Sequence, residues 1–117
     1  MKTSALDDLT LALRKFAQER DWEKFHTPKN LAMALMVEAA EIAEHFQWTD
    51  TSSTAQLSAE KREAVAMEIA DTFLYLLRLA DTLGIDVIEA AWAKMAINAQ
   101  RYPVDQSFGI SLKYNEL

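Results

Sequence analysis

Apolar residues recur at helical spacing along most of this chain. Leu6, Leu9, Leu13 and Phe16 repeat every three to four positions behind Ser4-Ala5-Leu6-Asp7, which has the form of a capping box. This predicts a first helix over 5–20. The period breaks at Asp21-Trp22-Glu23-Lys24-Phe25-His26, so this stretch is a connection, with Trp22 and Phe25 either packed on the core or walling a pocket. Thr27-Pro28 is a helix start, Thr as the cap and Pro at the first helical position, and predicts a second helix to about residue 48. The polar, Ser- and Thr-rich stretch 49–58 reads as a loop. Ser58 caps a third helix that runs to residue 83 and stops at Gly84. Asp86-Val87-Ile88-Glu89 reads as a further capping box, opening a fourth helix to about residue 101 with Pro103 beyond. No period is visible in residues 104–117, a tail that either packs across a neighbour or is loose.

The expected fold is therefore all-α, with four helices built as one domain over residues 1–117 and a C-terminal tail from 103. Half of the residues are hydrophobic and there are only 2 Gly and 2 Pro, which suits helices with few breaks. A chain of 117 residues buries a modest fraction of its surface, so further burial in a homo-oligomer is expected. The chain has no cysteine, which excludes disulfides, thiolate metal sites and a Cys nucleophile. Neither a membrane-spanning run nor a signal peptide is seen, and a cytoplasmic protein is expected. The net charge of −6 argues against a nucleic-acid partner.

Two helices carry carboxylates inside apolar surroundings. Glu38 and Glu41 lie in the second, Glu68 and Asp71 in the third. Positions i and i+3 share a face, so each pair points one way. The same face extends to His45 and Trp48 on the second helix and to Tyr75 on the third. From Ala64 to Leu77 the only charged residues are Glu68 and Asp71. Buried unpaired carboxylates are costly, so the four acids face solvent, pair with bases, titrate or bind cations. Hard oxygen donors on facing helices suit Mg²⁺ or Mn²⁺. On the fourth helix Lys94, Asn98 and Arg101 share a face at i, i+4 and i+7. Alone this is a solvated basic face near a helix C-terminus. Beside a carboxylate-held metal it provides what a polyphosphate needs. His45 either ligates or orients a carboxylate, or has a structural partner, and the five Met residues read as core filler.

Two other readings compete. A di-iron bundle needs Glu-x-x-His pairs; Glu41 and His45 are one residue too far apart and the third helix has no His. A non-catalytic helical module would bind a partner through its apolar faces.

Glu38-x-x-Glu41 and Glu68-x-x-Asp71, with 26 residues between the pairs, resemble the MazG-like superfamily of all-α nucleoside triphosphate pyrophosphohydrolases. Arg20-Asp21-Trp22, Phe25-His26-x-Pro28-x-Asn30, Phe46-Gln47-Trp48, Lys94-Met95-x-x-Asn98-x-x-Arg101-Tyr102-Pro103 and Lys113-Tyr114-Asn115-Glu116-Leu117 are similar to its dCTP pyrophosphatase branch. The resemblance implies cleavage of a (deoxy)nucleoside triphosphate to monophosphate and pyrophosphate. It implies a four-helix-bundle-type fold in which Glu38, Glu41, Glu68 and Asp71 hold Mg²⁺; in the mechanism this suggests, Glu38 or Glu41 takes the proton of the attacking water. It further implies a nucleoside pocket walled by Trp22, Trp48 and Tyr75, and phosphate contacts from Lys94, Asn98 and Arg101. His26 and Asn30 stand in a matched segment and join the expected substrate-binding set. A dimer or tetramer is the expected assembly.

Overall fold

The computed structural model describes residues 4–49 and 57–117. Among them every regular element is a helix: α1 (Ala5–Glu19), α2 (Pro28–Phe46), α3 (Ala59–Thr82), α4 (Val87–Arg101) and α5 (Val104–Ser107), with 3₁₀ turns at Glu23–Phe25 and Tyr114–Glu116. None of the described helices is long and apolar enough to cross a membrane. The expected polar loop falls mostly on residues 50–56, outside the described residues.

The helix starts follow the capping residues. Ser4 Oγ accepts from the Asp7 backbone N–H at 3.1 Å, and Asp7 Oδ2 accepts from the Ser4 N–H at 3.3 Å, which completes the capping box. Thr27, Ser58 and Asp86 each accept from the N–H three residues on. Gly84 at φ 66° ends α3, in the left-handed region where a missing Cβ removes the steric cost.

α1 ends without a glycine. The Trp22 N–H donates to Ala17 O at 2.9 Å and the Asp21 N–H to Gln18 O at 3.1 Å, the two bonds of a Schellman cap. Asp21 occupies its left-handed position at φ 55°. The apolar contact that accompanies such a cap is Trp22 against Phe16, ring centroids 5.8 Å apart.

The chain forms two compact units, residues 1–84 and 85–117. In the first, α3 packs against both α2 and α1. Its core is Ala17, Leu31, Val65, Leu77 and Ala80. Ala17 lets α1 approach closely because it has no side chain beyond Cβ. Much apolar surface stays uncovered in the single chain, including Met33, Met36 and Val37 on α2 and Met67, Ile69, Phe73 and Leu76 on α3. In the second unit Tyr102 meets Tyr114 edge-on at 6.1 Å, and the Arg101 guanidinium lies 4.5 Å over the Tyr114 ring. The tail, aperiodic in sequence, thus holds α5, a 3₁₀ turn and an aromatic contact back to the end of α4.

Candidate active site

α2 and α3 bring the acids together. Glu38, Glu41 and Glu68 each offer a carboxylate oxygen, all within 4.8 Å of one another. The three side chains are half-buried. Glu38 Oε2 and Glu68 Oε2 are buried and lack any hydrogen-bond partner among the described residues. A buried acceptor without a donor is expensive, and two in one cluster call for a ligand. Oxygen donors at this spacing fit Mg²⁺ or Mn²⁺. Asp71 is more exposed and lies outside the trio, yet its charge acts on both Glu38 and Glu68.

Crowding of like charges raises the proton affinity of this cluster. The close approach of the Glu41 carboxyl, then burial and the charges of Glu41, Glu38 and Asp71, push the Glu68 carboxyl up to about 7. Burial, then its contact with Glu41, raises Glu38. A raised carboxyl favours the metal-free fold in acid: that stabilisation is complete below the ordinary carboxyl value and lost as pH rises through about 7. A bound cation must displace the proton. Mg²⁺ added to metal-free protein at pH 6.5 is therefore expected to release protons, and at pH 8.5 almost none. Titration calorimetry in buffers of different ionisation enthalpy measures this. Equal release at both pH values would show that the cluster is not protonated near neutrality.

Beside the acids lies a cleft of about 210 Å³. Asp71 forms part of its wall, one turn of α3 from Glu68 of the trio. Trp22, His26 and Tyr75 line it, as the sequence leads one to expect. Leu13, Phe16, Leu74 and Arg78 line it too and were not among the expected residues. The sequence did hold a signal for Arg78. Glu68, Asp71, Tyr75 and Arg78 fall at i, i+3, i+7 and i+10, one continuous stripe of α3.

A polar network holds the floor of the cleft. Arg78 Nε donates to His26 Nδ1 at 3.2 Å, and Arg78 Nη1 to Asp81 Oδ2 at 3.3 Å. Arg14, from α1, donates to Asp81 through Nε at 2.8 Å and Nη2 at 2.5 Å. The Arg14 hydrogen bond in particular holds the Asp81 carboxyl below its ordinary value. Burial, followed by the Arg78 charge, lowers His26. His26 Nδ1 accepts a hydrogen bond, so the neutral ring carries its proton on Nε2.

Other expected residues sit elsewhere. Trp48 lies beyond the end of α2, which stops at Phe46, and it is 89% exposed and not in the cleft wall. The helical register that would carry the acid stripe to Trp48 is interrupted there by turn bonds from Gln47 N–H to Glu44 O and from Thr49 N–H to Phe46 O. Asn30 ties the connection to α2, its Nδ2 donating to Phe25 O at 3.0 Å. Phe25 is not part of the cleft wall and is largely exposed. His45 is half-buried on α2 and does not join the acid trio. Lys94, Asn98 and Arg101 share a face of α4, in the second unit.

The MazG-like family model matches residues 33–117. The chain belongs to the MazG-like family. The matched segment holds all four acids and Lys94, Asn98 and Arg101, and starts after Trp22, His26 and Asn30. Over 114 residues the MazG-like chain is 44% identical to dCTP pyrophosphatase 1 of Mus musculus, covering 96% of this chain and 67% of that protein. It is 43% identical to dCTP pyrophosphatase 1 of Homo sapiens over the same length and shares. A pyrophosphatase structure from Archaeoglobus fulgidus superposes with a TM-score of 0.72 at 39% identity, over 88% of this chain and 96% of that one. The all-helical architecture expected from the sequence is thus that of the MazG-like fold.

Proposed function

We propose that this chain is a Mg²⁺-dependent nucleoside triphosphate pyrophosphohydrolase. It cleaves dCTP or a closely related deoxynucleoside triphosphate to the monophosphate and pyrophosphate. The observation that carries this reading is a carboxylate trio with two orphaned buried oxygens, one turn of α3 from Asp71 in the wall of an aromatic cleft. The names of the relatives, dCTP pyrophosphatase 1 in four mammals, support the substrate class.

Glu38, Glu41, Glu68 and Asp71 hold the metal in this proposal. A bound divalent cation supplies charge neutralisation and acidifies water. Trp22 and Tyr75 offer ring faces on which a base stacks. Lys94, Asn98 and Arg101 are the donors assigned to the phosphate oxygens, since fixed cations and amides match a polyanion. Water attacks the α-phosphorus in line, and either Glu38 or Glu41 accepts its proton. The P–O bond to the β-phosphate breaks, and the leaving pyrophosphate takes the negative charge. The uncovered apolar faces of α2 and α3 support a homo-oligomer, dimer or tetramer, whose mass light scattering reads.

The test is release of monophosphate and pyrophosphate from a panel of ribo- and deoxynucleoside triphosphates, with and without Mg²⁺. The expected result is Mg²⁺-dependent dCMP and pyrophosphate release, with other bases slower. A flat profile across deoxynucleotides would keep the reaction and remove the dCTP preference. No hydrolysis of any nucleotide with Mg²⁺ or Mn²⁺ would leave a binding module instead.

A further inference from the structure

Arg78 is the only buried charged residue among the described residues. A buried guanidinium is tolerated when its donors are met. Nε is met by His26 and Nη1 by Asp81, and Asp81 is itself gripped by Arg14. Nη2 has no protein acceptor among the described residues, and the side chain forms part of the cleft wall. Two of the five N–H groups of the guanidinium are thus held, which fixes its plane, and the side chain that carries the others lines the cleft.

We propose that Arg78 is a specificity-determining residue that reads the acceptor edge of the base, N3 and O2 of cytosine, through Nη2. This rests on the nucleotide-hydrolase reading above. A guanidinium can only donate. Among pyrimidines, cytosine sets two acceptors side by side at N3 and O2. Thymine and uracil carry N3–H at the same place, where a donor would meet a donor. A cleft built to donate rejects the ligand that leaves its donor unpaired. The surroundings of Arg78 favour a base over a phosphate: Leu13, Phe16, Trp22 and Leu74 make the rest of the wall apolar and aromatic. His26 and Asp81 act here as positioning residues, since they fix the plane of the fork before any ligand arrives.

The experiment compares kcat/KM for dCTP, dTTP and dUTP in wild type and Arg78→Met, with the Mg²⁺ dependence of each. The expected result is a loss of about 10- to 100-fold for dCTP, mainly in KM, little change for dTTP and dUTP, and an unaltered Mg²⁺ half-saturation. An equal loss for all three nucleotides would overturn the proposal and leave Arg78 a structural or phosphate-binding role. Wild-type protein with 3-deaza-dCTP, where C–H replaces the N3 acceptor, asks the same question without a variant. It is expected to lose a similar factor, and turnover equal to dCTP would also overturn the proposal. Should wild type hydrolyse no nucleotide, the enzyme reading falls. The base contact is then read from quenching of tryptophan fluorescence by dCMP and dTMP. Preference for dCMP that disappears in Arg78→Met supports the contact, and equal binding of both refutes it.

Discussion

Glu68→Gln is expected to lower nucleotide turnover by about 100-fold or more, and at pH 8 without metal to raise the melting temperature. Both effects come from one carboxylate. Glu68 contributes a buried oxygen that no protein donor satisfies, within reach of Glu38 and Glu41. Gln is nearly the same shape but carries no charge, so it holds a divalent cation poorly. It also removes a like-charge contact that opposes folding once the cluster ionises, above about pH 7. The stabilisation should fade below that pH, where wild-type Glu68 holds its proton and is already neutral. Asp71→Asn should share the loss of activity with a smaller change in metal-free stability, because Asp71 is exposed. Steady-state kinetics and calorimetric melting decide the matter. A Glu68→Gln protein with near wild-type turnover would remove Glu68 from the metal site. One with reduced activity and a lowered melting temperature would mean that the trio stabilises the fold by itself.

Asp81→Asn should destabilise the chain by about 3 kcal/mol at pH 7 in urea unfolding. The Asp81 side chain is 13% exposed and the Arg78 side chain 10%, so their contact is poorly screened by water. Removing the carboxylate leaves a buried guanidinium without its counter-ion and strips Arg14 of a two-pronged bond. The effect has a pH signature. Arg14 holds the Asp81 carboxyl below its ordinary value, so its contribution is complete above that value. It is lost as pH falls through the depressed one, and the gap between wild type and variant should close in strong acid. A gap under about 0.5 kcal/mol at pH 7 would rank the network with ordinary surface pairs.

The acid cluster was legible in the sequence because its spacing is periodic and its helices are otherwise apolar. Glu38 and Glu41, the pair of α2, meet Glu68 of α3, while its i+3 partner Asp71 stands outside the trio. Trp22, His26 and Tyr75 reach the cleft, though the first two stand in an aperiodic connection. Arg78 stands on the same stripe of α3, but one residue past the run of helix read for its scarcity of charge. Leu13 and Phe16 stand in the sequence only as members of the α1 period, and nothing in an apolar helical period separates a core position from a cleft wall. Trp48 shows the opposite case. Helical spacing places it on the stripe, yet α2 ends two residues earlier, and helix ends are the least visible feature of a period. The cap of α1 was hidden for a different reason. Its left-handed position carries Asp21, so the usual glycine signal is missing.

That cap determines when the stacking wall becomes ordered. Trp22 is fixed by a bond to Ala17 within its own stretch of chain and by the ring of Phe16. The contacts that hold its backbone and bring its ring against Phe16 form as α1 terminates, before any nucleotide arrives. Immobilising a large side chain on association costs about 0.5–1.5 kcal/mol, and this site incurs that cost during folding. Binding at Trp22 should accordingly carry a small entropic penalty, and the rate of nucleotide capture should be set by diffusion into a preformed slot rather than by closure of a loop.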